Sequence, residues 1–246
     1  MVISKSALLS TVKGLFRAVG LEIGFADKVA SERNVLRSLF NDHEFQFVLD
    51  VGANVGQYGL LVRSCGHRGP IISFEPLTAA HEKLAACAAD DPHWIVAERA
   101  ALGARASHTA INIAKNSVSS SLLDMKPRHV EAAPSSFVVG REEINVIALD
   151  DCIERYVAAL KGGLLKIDTQ GYEMEVLRGA HRCLTDRIYM VQTELSLVEL
   201  YAGQPLMLDV CNFLKQYNFN LRHIIPGLKD PASGRLLQLD GIFFKN

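Results

Sequence analysis

Two short stretches of the chain place an acid just ahead of glycine, and together they could build one chemical site. In the first, Phe47 to Gly56, Asp50 ends a short apolar run and two glycines follow. In the second, an apolar run ends at Asp168 and Gly171 follows. Each stretch predicts a buried strand, a tight turn and a helix start. Because ligands bind beyond the carboxyl ends of parallel strands, we expect Asp50 and Asp168 to face one cleft.

The first loop, Asp50-x-Gly52-x-Asn54-x-Gly56, departs from the pattern of dinucleotide-binding proteins. Asn54 stands at the middle glycine position, where a pyrophosphate needs bare backbone, so the loop disfavours NAD. The acid Asp50 suits a ligand with a cationic amino group, such as the methionine end of S-adenosylmethionine. A turn whose glycines only relieve strain is the structural alternative.

A further acid follows at the spacing expected for ribose recognition. Ile71 to Phe74 predicts a second strand, and Glu75 follows it about 20 positions after the glycine loop. A carboxylate accepts two hydrogen bonds and therefore matches the 2′,3′-diol of a ribose. A plain strand end at the surface is the alternative interpretation.

Three later segments could complete the cleft. Ala101 and Leu102 lie in a small, apolar segment that could flank an adenine ring. The polar run Ser119-Ser120-Ser121 could line an acceptor pocket, although hydroxyl-rich runs are often only loops. His129 lies in the irregular stretch 127–140, which is either a mobile substrate loop or a plain connector.

Length and charge restrict the class of protein. The chain has 246 residues, of which 49% are hydrophobic, which suits one domain with a small appendage. Lys and Arg total 26 against 27 Asp and Glu, a formal net charge of −1. Long-range attraction to nucleic acid or to an anionic membrane is therefore not expected, and the predicted partner is a small or neutral molecule.

The cysteines and the N-terminus indicate the setting. Five cysteines are scattered without a Cys-x-x-Cys pair, which predicts free thiols and a cytoplasmic location. Residues 1–46 form an N-terminal helical segment whose first helix is amphipathic, with Lys5, Lys13 and Arg17 as the only charges before Glu22. We expect this segment to be a lid over the cleft or a contact in a homodimer, and not a stable membrane anchor.

An ordered set of motifs carries a family resemblance. The set is Asp50 to Gly56, Phe74-Glu75-Pro76, Ser119 to Leu122, Leu165 to Asp168 with Gly171-Tyr172-Glu173, and Leu177 to Ala180. With these motifs the chain resembles the FkbM family of S-adenosylmethionine-dependent methyltransferases over about residues 45–246. The resemblance implies an α/β fold of the class I methyltransferase type, Rossmann-like, with a seven-stranded, mostly parallel sheet and an antiparallel final strand. It also implies a methyltransferase domain over residues 47–246 and, usually, methylation of a hydroxyl on a sugar or secondary metabolite.

Roles for individual residues follow from the same resemblance. It makes Gly52, Asn54 and Gly56 the cofactor loop, Glu75 the ribose acid, and Asp168 the acid beside the methyl donor. Asp168 is then the first candidate for the base, followed by His129 and Glu194.

The second acidic corner differs from the family pattern in one respect that bears on metal binding. Family members commonly show Asp-Val-Glu-Gly where this chain has Asp168-Thr169-Gln170-Gly171. Since Gln170 removes one carboxylate, no metal is predicted, although Asp168, Glu173 and Glu194 could supply oxygen ligands to a divalent ion.

Two other functions compete with methyl transfer to a small-molecule hydroxyl. An NAD-dependent oxidoreductase would explain the fold and Glu75, but the chain lacks room for a substrate domain. A non-catalytic nucleotide-binding module would need neither Asp168 nor the serine run.

Overall fold

A computed structural model describes residues 28–158 and 160–246 of the chain. The basic amphipathic helix expected near the N-terminus lies outside the described residues. The helix expected next is present as α1, Lys28–Asp42. The boundary proposed between residues 46 and 47 falls between this helix and the first strand.

Ten strands in the described part of the chain form two sheets. They are β1 Val48–Val51, β2 Ile71–Phe74, β3 Trp94–Val96, β4 Ala101–Leu102, β5 Ser107–Ala114, β6 Val138–Ile147, β7 Gly163–Ile167, β8 Ile188–Ser196, β9 Phe219–Pro226 and β10 Gln238–Lys245. The larger sheet has the order β3-β2-β1-β7-β8-β10-β9. β10 runs antiparallel to both of its neighbours, β8 and β9. The expected seven-stranded, mostly parallel sheet with an antiparallel final strand is therefore confirmed.

Helices connect these strands and cover both faces of the larger sheet. After α1 they are α2 Gln57–Ser64, α3 Thr78–Ala88, α4 Pro127–Ala132, α5 Leu149–Cys152, α6 Glu154–Val157, α7 Glu173–Arg178, α8 His181–Asp186 and α9 Met207–Lys215. On one face, Leu36 of α1 and Val62 of α2 pack with Leu164 of β7. On the other face, Val176 of α7 packs with Ile167 of β7. The described part of α1 thus belongs to the core of the main domain.

The two acidic corners lie side by side because β1 and β7 are neighbours. The two strands pair in parallel with Asp50 opposite Lys166 and Val51 opposite Ile167. β1 is buried at all four positions, as its apolar run predicts. The loops after both strands therefore leave the same edge of the sheet at the same level.

The alternating segment 106–114 belongs to a second, three-stranded sheet. It forms β5, which pairs antiparallel with β6, while β4 pairs with β6 in parallel. This strand lies outside the regular alternation of strands and helices. After β6 the chain forms two short helices, α5 and α6.

Candidate active site

A cavity of about 340 Å³ opens at the carboxyl edge of the larger sheet. Seven of the residues predicted from the sequence line it, namely Gly52, Asn54, Glu75, Ala101, Leu102, Ser120 and Asp168. The structure therefore brings together the glycine loop, the acid after β2, the small apolar segment and the acid after β7. Gly56 lies deeper, as the N-terminal cap of α2 with φ 95°.

Glu75 lines the cavity and also holds the glycine loop in place. Its Oε2 accepts a hydrogen bond from the backbone N–H of Asn54 at 2.8 Å. Its Oε1 accepts one from the backbone N–H of Leu77 at 2.9 Å. Burial raises the pKa of Glu75, while these two hydrogen bonds act in the opposite direction. Each oxygen keeps further lone pairs, so the carboxylate can still accept from a ligand hydroxyl.

Lys166 is a site residue that the sequence interpretation passed over. Its ammonium Nζ lies 3.5 Å from Oδ1 of Asp50 and 3.6 Å from Oδ2 of Asp168. It also lies 5.3 Å from the centre of the Tyr58 ring. Burial lowers the pKa of Lys166, but Asp168 and Asp50 more than offset that effect and place the pKa above its usual value. The feature of the sequence that could have identified Lys166 is its position as a charged residue inside an otherwise apolar strand.

Asp50 lies behind this lysine. Its side chain is fully buried, and it is not among the residues that line the cavity. Its neighbours are the ammonium of Lys166 and the hydroxyl of Ser73, which donates to Oδ2 at 3.4 Å. A direct contact between Asp50 and a ligand ammonium stays a prediction, and in this structure the cation beside Asp50 is that of Lys166.

The amide of Gln170 bridges two carboxylates. Its Nε2 donates to Oδ1 of Asp168 at 2.7 Å and to Oε2 of Glu194 at 2.9 Å. Glu194 lies within β8, which continues to Ser196 and pairs Glu194 with Asp240 of β10. Glu194 does not line the cavity. The Gln170 amide therefore links Glu194 to Asp168 at the cavity wall.

His129 is also set back from the cavity. Its ring is 3% exposed, with Nδ1 2.9 Å from Oγ of Ser136 and Nε2 3.3 Å from the hydroxyl of Tyr201. Burial lowers the pKa of His129. The geometry does not support direct contact between His129 and a substrate, because Tyr201 and Gln170 lie in between. Nothing in the spacing of the sequence motifs indicated that Tyr201 would be part of this site.

The serine run divides into a cavity wall and a buried anchor. Ser120 lines the cavity, whereas Ser119 and Ser121 do not. Oγ of Ser121 donates to the carbonyl of Gln170 at 2.7 Å, and the hydroxyl of Tyr201 donates to the carbonyl of Ser119 at 3.1 Å. Within this run Ser120 is therefore the serine placed to meet an acceptor, and contact between the serine run and a substrate stays a prediction. The neighbouring residues Ser117 and Val118 also line the cavity.

The groups that line the cavity fit S-adenosylmethionine. Glu75 offers a fork of oxygens for a ribose, and Ala101 with Leu102 offers an apolar surface for a base. At Gly52 an added Cβ would lie 1.9 Å from the carbonyl oxygen of Asp168, so only a bare backbone fits there. Among the described residues, no group of three or more His, Cys, Asp or Glu side chains is arranged to hold a metal ion.

The sheet order, the two acidic corners and the cavity define a class I, Rossmann-like methyltransferase fold. A family model described as the methyltransferase FkbM domain matches residues 50–221. The chain therefore belongs to the FkbM family of methyltransferases, and the sequence-based assignment is confirmed. Its cofactor is S-adenosylmethionine. This assignment favours methyl transfer over the NAD-dependent and the non-catalytic alternatives.

A curated relative and solved structures show further similarity. Over 175 residues, 70% of this chain, the sequence is 26% identical to the hexuronic acid methyltransferase AglP of Haloferax volcanii, and it spans 63% of that protein. Fibrillarin from Aeropyrum pernix, solved with S-adenosyl-L-methionine, is 12% identical with a TM-score of 0.46, covering 88% of this chain and 76% of that one. The 1,6-didemethyltoxoflavin-N1-methyltransferase of Burkholderia thailandensis is 13% identical with a TM-score of 0.44, covering 100% and 92% respectively.

Within the residues that the structure describes, none of the helices has both the length and the apolar character needed to cross a bilayer.

Proposed function

We propose that the protein transfers the methyl group of S-adenosylmethionine to a hydroxyl oxygen of a sugar or secondary metabolite. The observation that carries the proposal is the position of the Asp168 carboxylate. It follows the central strand β7, lines the cavity, and keeps 32% of its side-chain surface exposed. A carboxylate in this position can accept the proton of an attacking hydroxyl group.

The order of the strands suggests how donor and acceptor share the cavity. Glu75, Gly52 and Asp168 follow β2, β1 and β7, which are adjacent in the sheet. Neighbouring strands lie about 4.8 Å apart, so these residues span roughly 10 Å along the edge. In our proposal the adenine contacts Ala101 and Leu102, the ribose contacts Glu75, and the methyl group lies near Asp168. The acceptor then enters from the far side of Asp168.

The cofactor supplies a methyl group already activated on a sulfonium, so the protein mainly has to align the acceptor. Alignment contributes up to about 7 to 11 kcal/mol in favourable systems, and a base adds ~10²- to 10⁴-fold. In the proposed step the acceptor oxygen bonds to the methyl carbon while the carbon–sulfur bond breaks. Asp168 takes the hydroxyl proton. The ammonium of Lys166, 3.6 Å away, favours the ionised form of Asp168 that this role needs.

A sugar acceptor has support from similarity and from the cavity wall. The relative AglP is named as a hexuronic acid methyltransferase. In this chain Ser117, Ser120 and Thr169 line the cavity and offer hydroxyl groups for hydrogen bonds to a polyol. We therefore place sugars first among the acceptors to be tested.

Product analysis tests the proposal directly. Purified protein is incubated with S-adenosylmethionine and a panel of neutral sugars, uronic acids and hydroxylated metabolites, and S-adenosylhomocysteine is measured by mass spectrometry. Mild alkali then separates the two kinds of product, since it cleaves a methyl ester and leaves a methyl ether intact. An alkali-stable methylated product supports transfer to a hydroxyl. A product labile to alkali, or one methylated on nitrogen, would show that the acceptor group is a different one.

We also propose that residues 1–22 act as a lid over the cavity or as a contact between two subunits. The support is the position of α1, which follows this segment and contributes Glu32 and Arg33 to the cavity wall. Deleting residues 1–22 should lower methyl transfer or the dimer content measured by light scattering. Tight binding of the intact protein to neutral lipid vesicles, lost on deletion, would contradict this. A cytoplasmic location stays a proposal that rests on the scattered cysteines.

A further inference from the structure

The groups around the side chain of Gln170 fix the orientation of its amide. Its side chain is 9% exposed, with the carboxylates of Asp168 and Glu194 on one side and the hydroxyl of Tyr201 on the other. Ionised carboxylates only accept hydrogen bonds, so they must face the NH₂ group and not the carbonyl oxygen. Oε1 of Gln170 consequently faces the Tyr201 hydroxyl at 2.9 Å.

Behind Gln170 the amide joins a buried polar network. Tyr201 has a single hydroxyl proton, and both Oε1 of Gln170 at 2.9 Å and the carbonyl oxygen of Ser119 at 3.1 Å are placed to accept it. Burial raises the pKa of Tyr201 and lowers that of His129, so it disfavours the charged form of each group. Nε2 of His129 lies 3.3 Å from the same tyrosine oxygen, and Nδ1 lies 2.9 Å from Oγ of Ser136, which itself donates to the carbonyl of Ala133. The result is one polar network that runs from His129 through Tyr201 to Gln170 and ends on two carboxylates.

The backbone around Gln170 is held as firmly as its amide. Gln170 has φ 55°, a left-handed conformation that is uncommon for residues other than glycine. Its carbonyl accepts from Oγ of Ser121 at 2.7 Å, which ties the loop to the serine run. A strained residue that is bonded at its backbone and at both ends of its side chain is fixed in a single position.

We propose that Gln170 is a positioning residue for methyl transfer: its amide holds the carboxylate of Asp168 toward the acceptor and separates it from that of Glu194. This inference rests on the proposed function, in which Asp168 takes the acceptor proton. Two carboxylates that share a site without a donor between them cannot both stay ionised easily. By donating one N–H to each, Gln170 favours the ionised form of both.

Other charged groups also act on Asp168 and are unchanged in the test. Lys166 of β7 lies 3.6 Å from Asp168, the charges of Asp50 on β1 and Glu173 at the start of α7 also act on it, and Asp240 of β10 is paired with Glu194. Lys166 favours the ionised form of Asp168, whereas the acids of β1 and α7 oppose it. A change at Gln170 that leaves these groups in place therefore reports the amide alone.

The test compares Gln170→Met with the wild-type protein in the pH dependence of kcat. Methionine has nearly the same length and shape but donates no hydrogen bond, and it meets the same backbone strain. Loss of both donors should shift the acidic midpoint of the profile upward by about one unit or more. At a pH below both midpoints kcat should fall by at least about tenfold relative to wild type, and raising the pH should restore most of it. Gln216→Met, at an exposed position after α9, is the matched control and should behave as wild type.

A second variant keeps the test decisive if Gln170→Met folds poorly. Tyr201→Phe leaves Gln170 in place but removes the hydroxyl that orients its amide, so it should shift the midpoint in the same direction by a smaller amount. A midpoint within about 0.3 units of wild type in a folded Gln170→Met protein would overturn the proposal. A loss of kcat that higher pH does not restore would also overturn it, because that result indicates a purely structural role.

A measurement that does not depend on enzymatic turnover distinguishes a failure of this inference from a failure of the proposed function. The carboxyl carbons of Asp168 and Glu194 can be titrated by ¹³C NMR in wild type and in Gln170→Met. If wild type methylates no hydroxyl but both titration midpoints rise in the variant, the proposed function fails and the effect of Gln170 on the carboxylates stands. If methyl transfer is present and neither midpoint moves, the inference about Gln170 is wrong and the proposed function stands.

Discussion

The backbone of Gly52 lies directly against the carbonyl group of Asp168. A Cβ atom at position 52 would be 1.9 Å from that oxygen, far inside van der Waals contact, and Gly52 has φ 75°. The backbone N–H of Asp168 donates to the carbonyl of Val51 at 3.0 Å, which keeps the ends of β1 and β7 level. The turn at Gly52, which follows β1, is thus packed against the backbone of Asp168, which follows β7.

Gly52→Ala should therefore disturb both the fold and the cofactor site. A side chain there meets a clash and a disfavoured φ, and strain of this type costs on the order of 1–3 kcal/mol even without a clash. We expect a larger loss of unfolding free energy in urea and a loss of S-adenosylmethionine binding by calorimetry. Gly66→Ala is the matched control, because Gly66 has φ 106° but no atom within 4 Å of an added Cβ. Equal behaviour of the two variants would contradict the close approach.

Glu75→Ala should weaken the binding of S-adenosylmethionine. The variant removes the acceptor proposed for the ribose and both hydrogen bonds from the backbone of Asn54 and Leu77. The expected loss is about 1.5 to 3 kcal/mol, the range for hydrogen bonds to a charged group. Calorimetric titration of a variant with wild-type circular dichroism measures it. Glu142→Gln, which changes an acid outside the cavity lining, should leave the affinity unchanged. Unchanged affinity in folded Glu75→Ala would remove Glu75 from the cofactor site.

The parts of the site that the sequence predicted correctly are those set by local pattern. The strand before Asp50, the strand before Glu75 and the turn at Gly52 each follow from a short apolar run and a glycine, and neighbouring parallel strands bring them together. The limits of β8 could not be predicted in this way. Glu194 stays within that strand because β10 pairs with it from more than 40 residues later in the chain.

The polar network behind Asp168 depends on contacts between distant segments. Tyr201 meets Gln170 and His129 across separations of 31 and 72 residues, which no local periodicity reports. The serine run was recognised as polar, but whether Ser119 or Ser120 faces the cavity depends on how the loop folds onto Tyr201. Lys166 was visible as a charge in an apolar strand, and its pairing with Asp50 became evident only from the register.

Glu173 should make the stability of the protein depend on pH. Burial raises the pKa of Glu173 from 4.5 to about 7, while its Oε1 accepts from the backbone N–H groups of Thr169 and Gly171. An acid with a raised pKa in the folded state stabilises that state at low pH, and this contribution is lost as the pH rises from about 4.5 through 7. The unfolding free energy should therefore fall between pH 5 and pH 8 by up to about 3 kcal/mol from this group.

Urea unfolding of Glu173→Gln at pH 5 and pH 8 measures this contribution. The variant should show a smaller fall than wild type, since its amide does not titrate. Glu175→Gln on the same helix is the control, because Glu175 is more exposed and pairs with Arg178. The same pH dependence in Glu173→Gln as in wild type would show that Glu173 does not titrate in this range.

Turnover of Asp168→Asn at saturating cofactor tests the central claim most directly. Asparagine has nearly the same shape but cannot accept the acceptor proton, and it can still accept a hydrogen bond from Gln170. We predict that the variant folds and keeps most of its affinity for S-adenosylmethionine. Its kcat should fall by at least about a hundredfold.

Two measurements beside that turnover separate the competing roles of Asp168. Weaker cofactor binding with kcat largely kept would make Asp168 a ligand of the cofactor's ammonium group. Wild-type activity that is abolished by a chelator and restored by magnesium would place Asp168 in a metal site. A kcat reduced a hundredfold with unchanged cofactor affinity and no chelator effect is the predicted result, and near-wild-type kcat would contradict the assignment of Asp168 as the base.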